Sequence, residues 1–167
     1  MSYELDSEKV TKVTLECLEK RGVSTKDIAE LVLFLQKDYF PDLTIALCEK
    51  NVDKVLQKRE VQNAILTGIQ LDILAEQKKL ESPLLEMIEN DEGLYGCDEI
   101  LALSIVNVYG SIGFTNFGYI DKLKPGILKK LNDKNDQPIH TFLDDIIGAI
   151  AAAASSRIAH SKHGDIE

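Results

Sequence analysis

Apolar side chains recur at intervals of three and four residues along almost the whole chain, and no segment alternates apolar and polar residues as a strand does. In one example, Ile65, Ile69 and Ile73 share a face of a helix predicted from about Lys58 to Gln77. Helices with one apolar face are stable when they bury it against one another. The sequence therefore predicts an all-α protein, a bundle of about seven or eight helices.

The length and composition of the chain indicate a single domain. A chain of 167 residues can bury one sizeable core but is short for two, and no linker or internal repeat divides it. Residues 1–92 have the pattern of charged amphipathic helices, whereas residues 93–160 are more apolar and carry carboxylates in pairs. We therefore predict one α-helical domain over residues 1–167 and expect any chemistry in its second part.

The second part has an uncharged stretch of twenty residues, Leu101–Ile120. Its serines, asparagines and glycines make it too polar for a membrane span, so the pattern predicts a buried helix over 97–109, followed by a glycine-rich bend. Helical character returns toward Leu123. The last predicted helix, about Thr141–His160, is rich in alanine, so another helix could approach it closely. Apolar helices in so small a chain also predict a homodimer.

Charge and cysteine content narrow the class of protein. A net charge of -9 argues against a protein whose main ligand is nucleic acid. The three cysteines are far apart and form no zinc pattern with the histidines, so we expect no disulfides and a cytoplasmic location. The acidic, polar start of the chain does not resemble a signal peptide. Peripheral contact with the inner face of a membrane is a further expectation.

Common nucleotide, zinc-protease and hydrolase motifs are missing from the sequence, which leaves a set of carboxylates as the chemical signal. Hard divalent cations such as Mg²⁺ need several oxygen ligands, and three acidic positions on three helices could supply them. Two nearby lysines could offset the charge of a phosphate. The candidate metal ligands are Asp98, Glu99, Asp121, Asp144 and Asp145, and the candidate substrate-binding lysines are Lys122 and Lys124.

Helix capping is a simpler explanation for each acidic position taken alone. Acidic residues are favoured in the first turn of a helix by its dipole. Asp98 could cap its own helix, and Thr141 with Asp144 forms a capping-box pattern. Neighbouring residues also point about 100° apart around a helix, so only one member of each pair should face a shared cleft. Spacing alone leaves both explanations open.

Three segments resemble, in order, the motifs of bacterial phosphatidylglycerophosphatase A. That family has a W-D-E-x-x-G segment, an R-x-x-D-x-x-K-P segment and an x-x-D-D-x-x-A-G segment. The matching segments are GCDEILALSI (96–105), FGYIDKLKPGILKKL (117–131) and HTFLDDIIGAIAAAA (140–154). The resemblance covers about residues 93–157; the family's N-terminal P-G-T-x-G-S segment has no counterpart here.

The resemblance implies a function. Members of the family are Mg²⁺-dependent enzymes that remove the terminal phosphate from phosphatidylglycerophosphate. By likeness, the five carboxylates named above would hold Mg²⁺ and orient water, and Lys124 would contact phosphate. A phosphohydrolase acting on a soluble, non-lipid phosphomonoester is an alternative. So is a non-catalytic helical protein that keeps the motifs for capping and packing and binds a partner through its N-terminal helices.

Overall fold

The computed structural model describes residues 4–135 and 138–161. Within those ranges the chain is helical and contains no strand, which confirms the prediction of an all-α fold. The α-helices are one or two more than predicted, and a short 3-10 helix covers Asn107–Tyr109. They are α1 (Ser7–Lys20), α2 (Thr25–Gln36), α3 (Ile45–Leu56), α4 (Arg59–Glu76), α5 (Leu84–Glu89), α6 (Cys97–Val106), α7 (Ser111–Leu123), α8 (Ile127–Leu131) and α9 (Leu143–His160).

The alanine-rich helix α9 is the centre of the molecule. Every residue from Leu143 to Ser156 is buried, so this helix has no solvent-facing side over four turns. A helix that is apolar all round is stable only when other helices surround it. Small side chains at Ala151–Ala154 let neighbouring helices pack close to its axis. The expected close approach of another helix is therefore confirmed, and it occurs on several sides.

Five helices surround α9. Helices α2, α3, α4, α6 and α7 all contact it, and consecutive helices in this series also contact one another; the short helix α8 contacts α9 as well. Phe34 of α2 stacks on Tyr119 of α7 with their ring centroids 6.3 Å apart, which closes the ring between those two helices. Helices α1 and α5 pack on the outer side of α4. This arrangement leaves the two ends of α9 as the places where its polar residues meet other elements.

The glycine-rich segment after α6 differs from its prediction. Only Gly110, with φ of +81°, breaks the backbone; the residues after it form the regular helix α7. Gly113 is needed for packing, because a Cβ atom there would lie 3.0 Å from Val106 Cγ1. Tertiary contact with α6 and α9 thus outweighs the low helix propensity of glycine.

The uncharged stretch Leu101–Ile120 is shared between α6, the 3-10 helix and α7. Across residues 4–135 and 138–161, no helix has both the length and the apolar character that a membrane crossing requires.

Candidate active site

Three helix ends meet at the N-terminal end of α9. Asp98 lies in the first turn of α6, Asp121 in the last turn of α7, and Asp144 and Asp145 in the first turn of α9. The residue after α7, Lys124, has a left-handed backbone conformation with φ of +46°. That conformation is uncommon outside glycine, and it ends α7 where the Lys124 side chain reaches α9.

The ammonium group of Lys124 joins carboxylates from two helices. Its Nζ lies 2.5 Å from Asp121 Oδ1, 2.9 Å from Asp144 Oδ2 and 3.7 Å from Asp145 Oδ1. Burial opposes its charge, but Asp144 and Asp121 outweigh burial and raise the pKa of Lys124. One fixed positive charge therefore lies among three acidic side chains.

Asp98 and Asp145 connect α6 to the same cluster. Their carboxyl groups interact electrostatically, and both side chains are buried. Burial raises the pKa of Asp145, and the charge of Asp144 raises it further. Burial also raises the pKa of Asp98. It raises the pKa of Asp144 as well, although the charge of Lys124 lowers it. The cluster has more carboxylates than Lys124 can neutralise, so it favours an additional positive charge.

The chemistry of the cluster suits Mg²⁺, which prefers carboxylate oxygens. As the side chains stand, the carboxylates of Asp121, Asp144 and Asp145 converge on Lys124 Nζ. Among the residues that the structure describes, no group of three or more histidine, cysteine, aspartate or glutamate side chains is arranged to hold a metal ion. Carboxylates are suitable ligands for Mg²⁺. A bound cation would require some of them to turn away from Lys124.

Glu99 and Lys122 lie outside the buried cluster, since both side chains are exposed. For the first acidic pair, the expectation that one member faces the cleft holds, because Asp98 is buried while Glu99 faces solvent. For the second pair it is wrong. Asp144 and Asp145 are both buried, and both lie close to Lys124 Nζ.

Asp72 is a residue that the sequence pattern did not single out. It belongs to α4, is fully buried, and accepts hydrogen bonds from the backbone N–H groups of Phe142 and Leu143, each at 3.1 Å. Burial raises its pKa to about 8, although those two donors lower it. The available signal was an acidic residue on the largely apolar inner face of α4, which also carries Ile65 and Ile69.

The capping explanation for Asp144 is wrong. Asp72, from another helix, supplies the oxygens that cap α9. Thr141 Oγ1 donates to the carbonyl oxygen of Ile88 at 2.5 Å instead of capping α9. Asp144 Oδ2 accepts from Lys124, and its Oδ1 accepts from the Asp145 N–H at 2.8 Å. The first-turn aspartates are therefore held by contacts between elements.

A polar cavity of about 220 Å³ opens beside Asp144. Its rim carries an ion pair in which Lys134 Nζ lies 3.2 Å from Asp91 Oδ2. The charge of Asp91 helps to raise the pKa of both Asp98 and Asp144, as expected for a carboxylate close to the cluster. The cavity gives a small polar molecule access to Asp144. Its other polar lining residues include Asn90, Asn132 and His140.

Comparison with known proteins shows close relatives in bacteria. The Bacillus subtilis (strain 168) protein YutG is 72% identical over 143 residues, which are 86% of each chain. YpjQ of the same organism is 59% identical over 155 residues, 93% of this chain and 86% of YpjQ. The crystal structure of the low temperature requirement C protein from Listeria monocytogenes is 63% identical and superposes with a TM-score of 0.92, covering 95% of this chain and 99% of that one.

The sequence profile of the phosphatidylglycerophosphatase A family matches residues 14–160. This match is much longer than the stretch of about 93–157 that the three motifs cover, so the family relationship extends through most of the N-terminal helices as well. Asp72 and the rest of α4 lie within it. The motifs, the all-α fold and the length of the match together show that this chain belongs to the phosphatidylglycerophosphatase A family.

Proposed function

We propose that this protein is a Mg²⁺-dependent phosphatase that hydrolyses the terminal phosphomonoester of phosphatidylglycerophosphate or a related substrate. The observation that carries the proposal is the convergence of the Asp98, Asp121, Asp144 and Asp145 side chains on one buried site. They come from three helices and from three separate motifs of the family. Burying so many carboxylates together is costly, and a divalent cation would offset that cost.

In this proposal Asp98, Asp121, Asp144 and Asp145 would hold Mg²⁺. Bound Mg²⁺ would polarise the phosphoryl group and lower the pKa of an attacking water. Lys124 would turn from the carboxylates to a phosphate oxygen, which its single positive charge suits. Glu99 and Lys122 are one position from Asp98 and Asp121, respectively, and their exposure suits contact with an arriving substrate.

Exposed apolar side chains beside the site support a lipid substrate. Leu94 is 92% exposed and Ile100 67% exposed, within four residues of Asp98. Tyr119 is 54% exposed and Leu123 47% exposed, within two residues of Asp121. Side chains of this kind bind at the boundary between water and lipid. We therefore propose that the enzyme works in peripheral contact with the cytoplasmic face of a membrane.

A non-catalytic role is the second candidate, and Lys124 is the observation that favours it. Its ammonium already bridges Asp121 and Asp144, so the cluster could serve only to tie α7 to α9. In that case the protein would act by binding a partner, and the carboxylates would be structural.

A phosphate-release assay separates these candidates. Wild type, Asp121→Asn and the control Asp38→Asn, which alters an exposed aspartate in the loop after α2, would be compared with Mg²⁺ and with EDTA. The substrates are phosphatidylglycerophosphate in mixed micelles and soluble glycerol 3-phosphate. We expect release that needs Mg²⁺, is faster with the lipid, and falls by a factor on the order of a hundred in Asp121→Asn alone.

Each alternative gives a different result in the same assay. Faster release from glycerol 3-phosphate would identify a soluble phosphomonoesterase and contradict the lipid substrate. No release from either substrate by folded wild-type protein would contradict the enzyme and favour the non-catalytic role.

A further inference from the structure

One face of α4 carries three residues that all meet the segment leading into α9. Gly68, Asp72 and Glu76 are four residues apart, so they lie one above another on the helix surface. Their partners are Ile139, Phe142, Leu143 and Ile146, which span the entry and first turn of α9.

Gly68 allows the close approach of the two helices. A Cβ atom at this position would lie 2.3 Å from Ile146 Cδ1 and 3.1 Å from Phe142 Cβ, so a larger residue would displace the Ile146 side chain and crowd Phe142. Because Gly68 is one turn from Asp72, this approach places the short Asp72 side chain within reach of the α9 backbone.

Glu76 holds the segment before α9. Its Oε1 accepts from the Ile139 N–H at 2.8 Å and from Arg21 Nη2 at 2.5 Å. The same Arg21 nitrogen donates to the carbonyl oxygen of Ile139, also at 2.5 Å. Residue 139 is therefore fixed through both its N–H and its carbonyl group.

Asp72 holds the first turn itself. Its carboxylate is fully buried and accepts from two successive backbone N–H groups, those of Phe142 and Leu143. The next two residues are Asp144 and Asp145, whose side chains must meet Lys124 and Asp98. A small rotation of this turn would therefore misplace both aspartates together.

We infer that Asp72 is a positioning residue of the proposed phosphatase site. It fixes the first turn of α9, and so the placement of Asp144 and Asp145, without contacting the substrate. Glu76 supports the same segment from one helical turn away. The inference rests on the proposed function for its catalytic consequence, but the structural consequence can be measured without turnover.

The test compares Asp72→Asn with two controls. The amide keeps the size of the side chain but places an N–H₂ group against a backbone N–H, so one capping bond is lost. Glu60→Gln removes an exposed charge at the start of the same helix. Val52→Ala creates a defect in the core of α3, where Val52 is fully buried, and controls for lost stability alone.

We expect kcat in Asp72→Asn to fall on the order of ten- to a hundredfold with little change in KM, as for groups that orient metal ligands. The Mg²⁺ affinity measured by titration calorimetry should fall by a similar factor. Hydrogen exchange of the N–H groups of residues 142–147 should become faster in Asp72→Asn and stay unchanged in Glu60→Gln.

Two results would overturn the inference: exchange of residues 142–147 that matches wild type, or losses of kcat and Mg²⁺ affinity no larger than in Val52→Ala. If wild type neither turns over substrate nor binds Mg²⁺, the proposed function fails and the exchange result still decides the inference. Should Asp72→Asn not fold, Glu76→Gln, whose side chain is 22% exposed, is measured in the same way. Hydrogen exchange of residues 142–147 should be faster in Glu76→Gln than in wild type. An exchange rate equal to that of wild type would overturn the inference.

Discussion

Lys124 supplies the positive charge already present among the carboxylates. Replacing it with methionine keeps the length of the side chain and removes the charge. We expect Lys124→Met in EDTA to lose about 3 kcal/mol of unfolding free energy, as when one partner is removed from a buried ion pair. Added Mg²⁺ should recover more stability in this variant than in wild type, since the cation would replace the missing charge.

Urea unfolding with EDTA and with Mg²⁺ measures both effects. Lys122→Met is the matched control, because Lys122 is exposed and two positions away; its unfolding free energy should stay within about 0.5 kcal/mol of wild type. Equal stability of Lys124→Met and Lys122→Met, or equal responses of wild type and Lys124→Met to Mg²⁺, would show that the cluster does not need a balancing cation.

At the residue scale, sequence prediction succeeded where the signal was local. Asp98, Asp121, Lys124 and the Asp144–Asp145 pair were identified from short motifs, and the structure brings all of them together. Asp72 could not be identified in the same way, because its partners Phe142 and Leu143 lie 70 and 71 positions along the chain. Its role comes from tertiary packing that only the fold reveals.

At the scale of elements, the contact between α4 and α9 sets the geometry of the site. Gly68→Ala should destabilise the protein by roughly 1–3 kcal/mol, because the added methyl group would overlap the Ile146 side chain and crowd Phe142. Gly118→Ala is the matched control. Gly118 lies within the helix α7 and a Cβ there would contact nothing within 4 Å, so this change should be neutral or stabilising by up to about 1 kcal/mol.

Thermal or urea unfolding of the two glycine variants gives the comparison. Equal effects at Gly68 and Gly118 would contradict the close packing of α4 on α9 at Gly68.

The helices themselves were predicted well where apolar periodicity was strong, as in α2 and α4. The exception was α7, whose glycines predicted a bend over residues 110–118. Glycine has low helix propensity in isolation, but Gly113 faces Val106 and allows close packing. A single sequence cannot show which glycines serve a close contact and which loosen the backbone.

At the scale of the whole molecule, burial of α9 explains both its composition and the position of the site. Its alanine-rich surface suggested that a second copy of the chain would cover it. The structure instead covers α9 with five helices of the same chain, so that observation no longer requires a partner. The homodimer stays a prediction, which light scattering would test.

The burial of α9 also explains why the acidic cluster lies at one end of this helix. An all-round apolar helix can carry charged residues only near its ends, and α9 carries Asp144 and Asp145 at its N-terminus. There they meet the ends of α6 and α7, which carry the other two motifs. The motifs are thus far apart in sequence and adjacent in space because the central helix gathers them.

We propose that Asp144 and its neighbours form one Mg²⁺-dependent phosphatase site. The most direct test is the rate of phosphate release from phosphatidylglycerophosphate by wild type and Asp144→Asn, measured across a Mg²⁺ titration. We expect the wild-type rate to rise from the EDTA baseline to a plateau, and Asp144→Asn to be slower by a factor on the order of a hundred or more. Equal rates for the two proteins, or a wild-type rate that EDTA does not change, would contradict it.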